Sequence, residues 1–203
     1  MRKLATNPVG KQSELAVKRQ EQILNAASKL FVQKGFHKTT IRDIARESGL
    51  GIGPMYDYVK NKEEILFMVH QRILDQIGEG LKKSMSGVEE PKEKLEKMIK
   101  FLIVLTNKHQ SLILFIYQES HTLGKEMRKE ILRAEKESIS LFEQVLKEGR
   151  KKKIFGKMNT KVMANMIILL IHGWVLKRWD LKDIKKGSRL KYTMEFIFKS
   201  LSV

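Results

Sequence analysis

The sequence predicts an all-α fold. Apolar residues recur at i, i+3, i+4 and i+7 along most of the chain, the period of a helix with one buried face. Leu, Ile, Lys, Glu and Met supply most of that amphipathic order, and only three prolines interrupt 203 residues. A chain of this length can bury a sizeable core, as one large domain or two small ones.

Residues 1–12 read as a basic, turn-prone tail, expected to be mobile. Arg2 and Lys3 are candidates for an adjacent minor groove; the bland reading is a disordered terminus. Residues 13–34 form the first helix, with Ile23, Ala26, Ala27, Leu30 and Phe31 in one apolar stripe. Gly35 ends it, and Phe36 is placed to fold back over the cap.

Residues 39–62 are the stretch around which the chain is organised. Thr39 or Thr40 caps a helix start. Ile41, Ile44 and Ala45 then fall on one face, and Gly49 takes the left-handed position that ends the helix. A second short helix begins in Gly51-Ile52-Gly53-Pro54, where a first-turn proline costs no hydrogen bond, and runs to Val59. Two short helices joined by a Gly-containing turn form a helix-turn-helix, whose second helix enters the DNA major groove. An ordinary αα-corner has the same spacing. Two tyrosines, lysines bracketing the second helix, and the local positive charge favour DNA.

Asn61 caps a long helix over residues 62–85, with Leu66, Val69, Ile73, Ile77 and Leu81 inward. A rigid rod there would convert a change in the body into a displacement of the reading helix. Ser86-Gly87 breaks it, and Glu90-Pro91 opens the next helix, with Leu95, Met98, Ile99, Leu102 and Ile103 inward. Residues 110–120 are apolar on most sides, as in a helix buried all round or lining a cavity. Residues 125–148 are a long amphipathic helix, followed by the basic turn Gly149-Arg150-Lys151-Lys152-Lys153, read as solvated. Residues 160–179 and 188–201 are the last two helices. Two such apolar C-terminal helices exceed what one chain needs at its centre, so a second copy is expected to cover part of them.

The residues Ile23-Leu24, Ala26-Ala27, Leu30-Phe31, Gly35-Phe36, Thr39-Thr40-Ile41, Ile44-Ala45, Gly49-Leu50, Gly53, Tyr56, Tyr58, Lys62-Glu63 and Leu66 stand at fixed spacing. This stretch resembles the DNA-binding domain of the TetR family of bacterial transcription regulators, and covers about a quarter of the chain. The resemblance implies an N-terminal three-helix helix-turn-helix domain, residues 1–62, and a larger helical ligand-binding and dimerisation domain, residues 63–203. It also implies a homodimer with a four-helix interface built from the last two helices. By position, the base-facing candidates are Ile52, Gly53, Pro54, Met55 and Asp57. The phosphate candidates are Lys38, Thr40, Tyr56, Tyr58, Lys60 and Lys62. Gly51, Pro54 and Val59 depart from the family pattern, so the helix offers few hydrogen-bonding side chains. Reading would lean on thymine methyls, on Asp57 accepting from a cytosine amine, and on DNA shape; Asp57 pairing with Lys60 is the alternative.

The resemblance further implies a small-molecule inducer in the body. Phe101, Leu105, Leu112, Phe115, Ile116, Met166, Leu170 and Trp174 are candidates to line its cavity, with Glu119, His121 and His172 as polar points. The alternative is an ordinary packed core.

Net charge is +17. Residues 1–62 hold 12 Lys and Arg against 5 Asp and Glu, so the basic excess is densest there but not confined to it. Such a balance favours a polyanion, either nucleic acid or an anionic membrane surface. The basic body suits an anionic ligand such as a fatty acyl or acyl-CoA species. Without cysteine, disulfides and thiolate metal sites are excluded. No secretion signal and no run long enough to span a membrane are seen, so a cytoplasmic protein is expected. The five histidines lack metal-ligand spacing, and no P-loop, dinucleotide fingerprint or serine elbow occurs. The expectation is a non-enzymatic repressor without cofactor, released from a palindromic operator by its ligand. The rivals are a ligand-binding helical dimer without sequence-specific DNA binding and a basic protein of anionic membranes.

Overall fold

The computed structural model describes residues 10–202, and side chains from Glu14 onward except that of Lys186. The proposed minor-groove residues Arg2 and Lys3 lie outside the described residues. The helices are α1 (Gly10–Lys34), α2 (Ile41–Ser48), α3 (Ile52–Met55), α4 (Lys62–Met85), α5 (Pro91–Lys108), α6 (Gln110–Glu119), α7 (Lys125–Lys151), α8 (Thr160–Leu176) and α9 (Lys186–Ser200), with a short 3-10 turn at Ser120–Thr122. No strand occurs among the described residues. The chain divides into two compact units, one of residues 1–69 with 121–123, the other of 70–120 with 124–203. α4 supplies residues to both.

In the first unit, the α1 stripe Ile23, Ala26, Ala27, Leu30 and Phe31 is buried, as its spacing predicts. Gly35 adopts φ 79° and its N–H donates to Phe31 O at 3.0 Å. Phe36 folds back on Phe31, ring centroids 5.5 Å apart. Of the two threonines, Thr40 is the N-cap. Its Oγ1 accepts from the Asp43 N–H at 3.1 Å, and its own N–H donates to Asp43 Oδ2 at 3.1 Å. Thr39 is buried and closes the end of α1 instead, its hydroxyl donating to Gly35 O at 2.8 Å. Gly49 ends α2 at φ 72°, and the Leu50 N–H returns to Ala45 O at 2.9 Å.

α3 is shorter than the sequence predicts. It is regular only over Ile52–Met55, after which the chain continues to Val59 in tight turns. Two glycines and a proline within Gly51–Pro54 weaken helix propagation, while the turn bonds still satisfy the backbone. Asn61 caps α4 as expected, its Oδ1 accepting from the Glu64 N–H at 2.8 Å.

The second unit is built on one core. Leu81 of α4, Leu95, Met98, Ile99, Leu102 and Ile103 of α5, Phe142, Val145 and Leu146 of α7, Ala164, Ile167 and Ile171 of α8, and Ile197 and Leu201 around α9 are all buried together. At roughly 1.5–3 kcal/mol for each large side chain fully buried, this cluster dominates the unit's stability. Two glycines set helix approaches. A Cβ on Gly80 would lie 1.9 Å from the Phe101 ring, and one on Gly149 2.2 Å from Phe155. The basic segment at Gly149 is solvated as expected, but only its end is a turn: α7 runs through Gly149 to Lys151, the turn is confined to Lys152 and Lys153, and Phe155 packs over the glycine.

Among the described residues no single helix is long and apolar enough to cross a membrane. The pair Pro91–Lys108 and Gln110–Thr122 passes on length and composition together but is bent by 83°.

Candidate nucleic-acid interface and ligand cavity

Caps on α2 and a buried anchor on α3 fix the display of the turn helix. Met55 is fully buried. That removes it from the base-facing set, because its side chain is the inward knob holding α3 to the unit. Ile52 is 41% and Tyr56 55% exposed, one helical turn apart. Gly53, Pro54 and Asp57 are exposed beside them, whereas Tyr58 is half-buried. Asp57 forms no ion pair with Lys60 among the described residues.

The flanking polar groups divide by whether their heads are engaged. Lys38 and Lys60 are exposed and make no ion pair among the described residues. Arg42, exposed on α2, belongs with them. Thr40 is exposed, but its hydroxyl is committed to the cap and to Asp43 Oδ2 at 2.8 Å. These Thr40 hydrogen bonds, side chain first and backbone second, hold the Asp43 carboxyl below its ordinary range. Lys62 is also engaged: its ammonium donates to Phe36 O at 2.6 Å and His37 O at 3.3 Å, and stands 4.2 Å from the centroid of the Phe36 ring. It closes the α1–α2 connection onto the start of α4. Exposed cations without carboxylate partners, flanking a displayed helical turn in sequence, are what phosphate neutralisation requires.

The second unit holds a cavity of about 200 Å³. Ile73, Leu74 and Ile77 of α4, Ile113 and Ile116 of α6, and Ile131 and Leu132 of α7 make its apolar lining. His70, Tyr117, Ser120, Arg128, Glu135 and His172 supply polar groups. Tyr117 Oη and His172 Nδ1 share a hydrogen bond of 2.6 Å. Burial lowers both His70 and His172 to about 4, so both imidazoles are neutral at pH 7. Desolvation at the cavity wall, with Glu135 adding to it, raises Tyr117 to about 12 although the residue as a whole is 41% exposed, and desolvation also raises Glu135.

Of the residues expected to line the ligand cavity, Ile116 and His172 line this one. Leu112 and Phe115 are buried elsewhere in the packing, and Phe101 and Leu170 pack against the main core. Leu105 and Glu119 do not line the cavity, and His121 is exposed in the 3-10 turn. Trp174 lines a separate crevice, where its Nε1 donates to Thr193 Oγ1 at 2.9 Å beside Arg189. Met166 faces outward, 58% exposed. It belongs to a stripe on α8 with Val162, Leu169 and Leu176, and α9 adds exposed Tyr192 and Phe196. The missed lining residues come from α4 and α7, with Ile113 and Tyr117 of α6 and Ser120 of the 3-10 turn. The signal for them was a polar residue inside an apolar stripe: His70 beside Val69 and Ile73, and Glu135 one turn after Ile131.

Residues 23–69 match the family described as "Bacterial regulatory proteins, tetR family", and residues 88–179 match "Tetracyclin repressor-like, C-terminal domain". The chain belongs to the TetR family. It is a helix-turn-helix DNA-binding transcriptional regulator of the ligand-responsive repressor class, on an all-α scaffold. Among its TetR relatives, the HTH-type transcriptional regulator HbdR of Aromatoleum sp. (strain CIB) is 26% identical over 170 residues, 84% of this chain and 74% of that protein. A fatty acid metabolism regulator protein of Bacillus subtilis (strain 168) is 29% identical over 129 residues, covering 63% of this chain and 66% of that one. The solved structure of AibR in complex with isovaleryl coenzyme A and operator DNA superposes with a TM-score of 0.75 at 20% identity, covering 88% of this chain and 97% of that one.

Proposed function

We propose that residues 1–62 serve DNA binding and residues 63–203 serve ligand binding and pairing. Two copies join through the exposed apolar stripes of α8 and α9. They present their α3 helices to successive major grooves of a palindromic operator, at centres about 34 Å apart or a multiple of that spacing. Ile52, Gly53, Pro54 and Asp57 face the bases; Lys38, Arg42, Tyr56, Tyr58 and Lys60 grip phosphates, while Thr40 and Lys62 hold the scaffold that presents them. The observation that carries the reading is α3 held by buried Met55, with exposed, unpaired cations on both sides of it in sequence.

The cavity receives the inducer, of acyl or acyl-CoA type. The named role of the Bacillus subtilis relative and the ligand in the AibR complex support that class. Because α4 lines the cavity with Ile73, Leu74 and Ile77, ligand binding there favours an arrangement that fits DNA badly. The protein acts where the operator is, in the cytoplasm, and catalyses nothing.

A gel shift on the DNA upstream of its own gene tests this. Binding to one palindromic segment, weakening steeply with salt, is expected, and Lys60→Ala should lower affinity for all sequences alike. Salt-insensitive binding, or none above that to unrelated DNA, would refute it.

A further inference from the structure

Taking the cavity to be the ligand site, we infer what it encloses: a single ring-sized apolar group bearing a hydroxyl, received by Glu135 and His70. Volume sets the size. The cavity holds about 200 Å³, and a dry cavity of about 150 Å³ takes one benzene. A ring with one or two further heavy atoms fills it, so of an acyl or acyl-CoA inducer only a ring-sized acyl end is held inside and the remainder lies beyond the mouth.

The lining sets the chemistry. Ile73, Ile77, Ile113 and Ile131 offer the walls that grip a ring. Among the polar groups, Tyr117 and His172 already satisfy each other at 2.6 Å. Glu135 and His70 have no hydrogen bond or ion pair among the described residues, though both are half-buried in the cavity wall. A plain hydrocarbon would cover both and leave them without partners, which a site does not tolerate without loss of affinity. A hydroxyl can donate to the Glu135 carboxyl and be met by the His70 imidazole. An ammonium also suits a carboxylate, but Arg128 lines the same cavity and the chain as a whole carries +17, so a cation is disfavoured.

Three probes of one shape separate these choices: benzyl alcohol, ethylbenzene and benzylamine, which end in hydroxyl, methyl and ammonium. Each is titrated into the full chain, following the NMR shifts of its isoleucine methyls. Benzyl alcohol should move the cavity isoleucines and bind about tenfold more tightly than either analogue, the discrimination one buried hydrogen bond supplies. In Glu135→Leu the preference over ethylbenzene should vanish. In Glu135→Gln, which keeps the shape and an acceptor oxygen, it should survive in weaker form and decide the matter if the leucine variant does not fold.

Equal or tighter binding of ethylbenzene, a preference for benzylamine, a preference unchanged in Glu135→Leu, or no isoleucine shift with any probe overturns the inference. The titration needs no DNA. An operator that is bound specifically by a chain indifferent to these probes refutes the cavity chemistry alone, and the converse refutes the regulator reading alone.

Discussion

Lys62 is the sharpest place to separate a DNA contact from a structural one. Its ammonium donates to two carbonyls, Phe36 O at 2.6 Å and His37 O at 3.3 Å, and lies 4.2 Å from the Phe36 ring centroid. A charge-assisted hydrogen bond contributes about 1.5–3 kcal/mol, and a partly exposed cation–π contact about 0.5–1. Because Lys62 keeps some solvent access, the lower ends apply, and Lys62→Met should cost roughly 2 kcal/mol. The methionine retains the length of the stem, so the loss is of the charged head alone. Chemical denaturation followed by circular dichroism measures it. Operator affinity, measured across a salt series well below the melting range, should keep its slope, because no phosphate contact has been removed. Lys60→Ala should do the opposite: stability hardly moves, and the slope of log affinity against log salt flattens by about 0.9. If Lys62→Met melts like the wild type and flattens the salt slope by about one, the lysine is a phosphate ligand and its role in closing the α1–α2 connection onto α4 is wrong.

Gly49→Ala should destabilise the first unit by about 1–2 kcal/mol, because φ 72° is a left-handed conformation while nothing lies within 4 Å of the new Cβ; Gly49→Asn should recover part of it in the same melt. Met166→Glu combined with Phe196→Glu places charge on side chains 58% and 65% exposed on the α8–α9 face, and sedimentation should show the dimer replaced by monomer with the helical spectrum unchanged. Acid should weaken the second unit. His172 is lowered from 6.5 to about 4 by burial, so between those values the unfolded chain binds the proton that the folded chain refuses. Stability then falls as pH drops through that window, by up to about 3 kcal/mol. Urea melts at pH 7 and pH 5 should differ in that sense, with a smaller difference in His172→Phe; equal midpoints would rule out a buried neutral imidazole.

The sequence determined what is local. Helix positions follow from the apolar period, and their ends from residues whose own backbone or hydroxyl does the work: Thr40, Gly49, Asn61 and Pro91 act where they stand. The helix-turn-helix was legible for the same reason, since its caps, corner and inward residues lie within one short segment. Met55 shows the limit. Its place on a short, glycine-interrupted helix leaves its facing undefined until the rest of the unit closes over it. Tertiary structure decided the cavity. Periodicity tells which face of a helix is buried but not how far the facing helix stands off, and that distance separates a packed core from a void. Thus Leu112 and Phe115 pack, Met166 turns outward, and His70 and Glu135, from α4 and α7, become the open polar groups of a cavity. No local rule relates residues so far apart in the chain; only the spacing of α4, α6 and α7 brings them together.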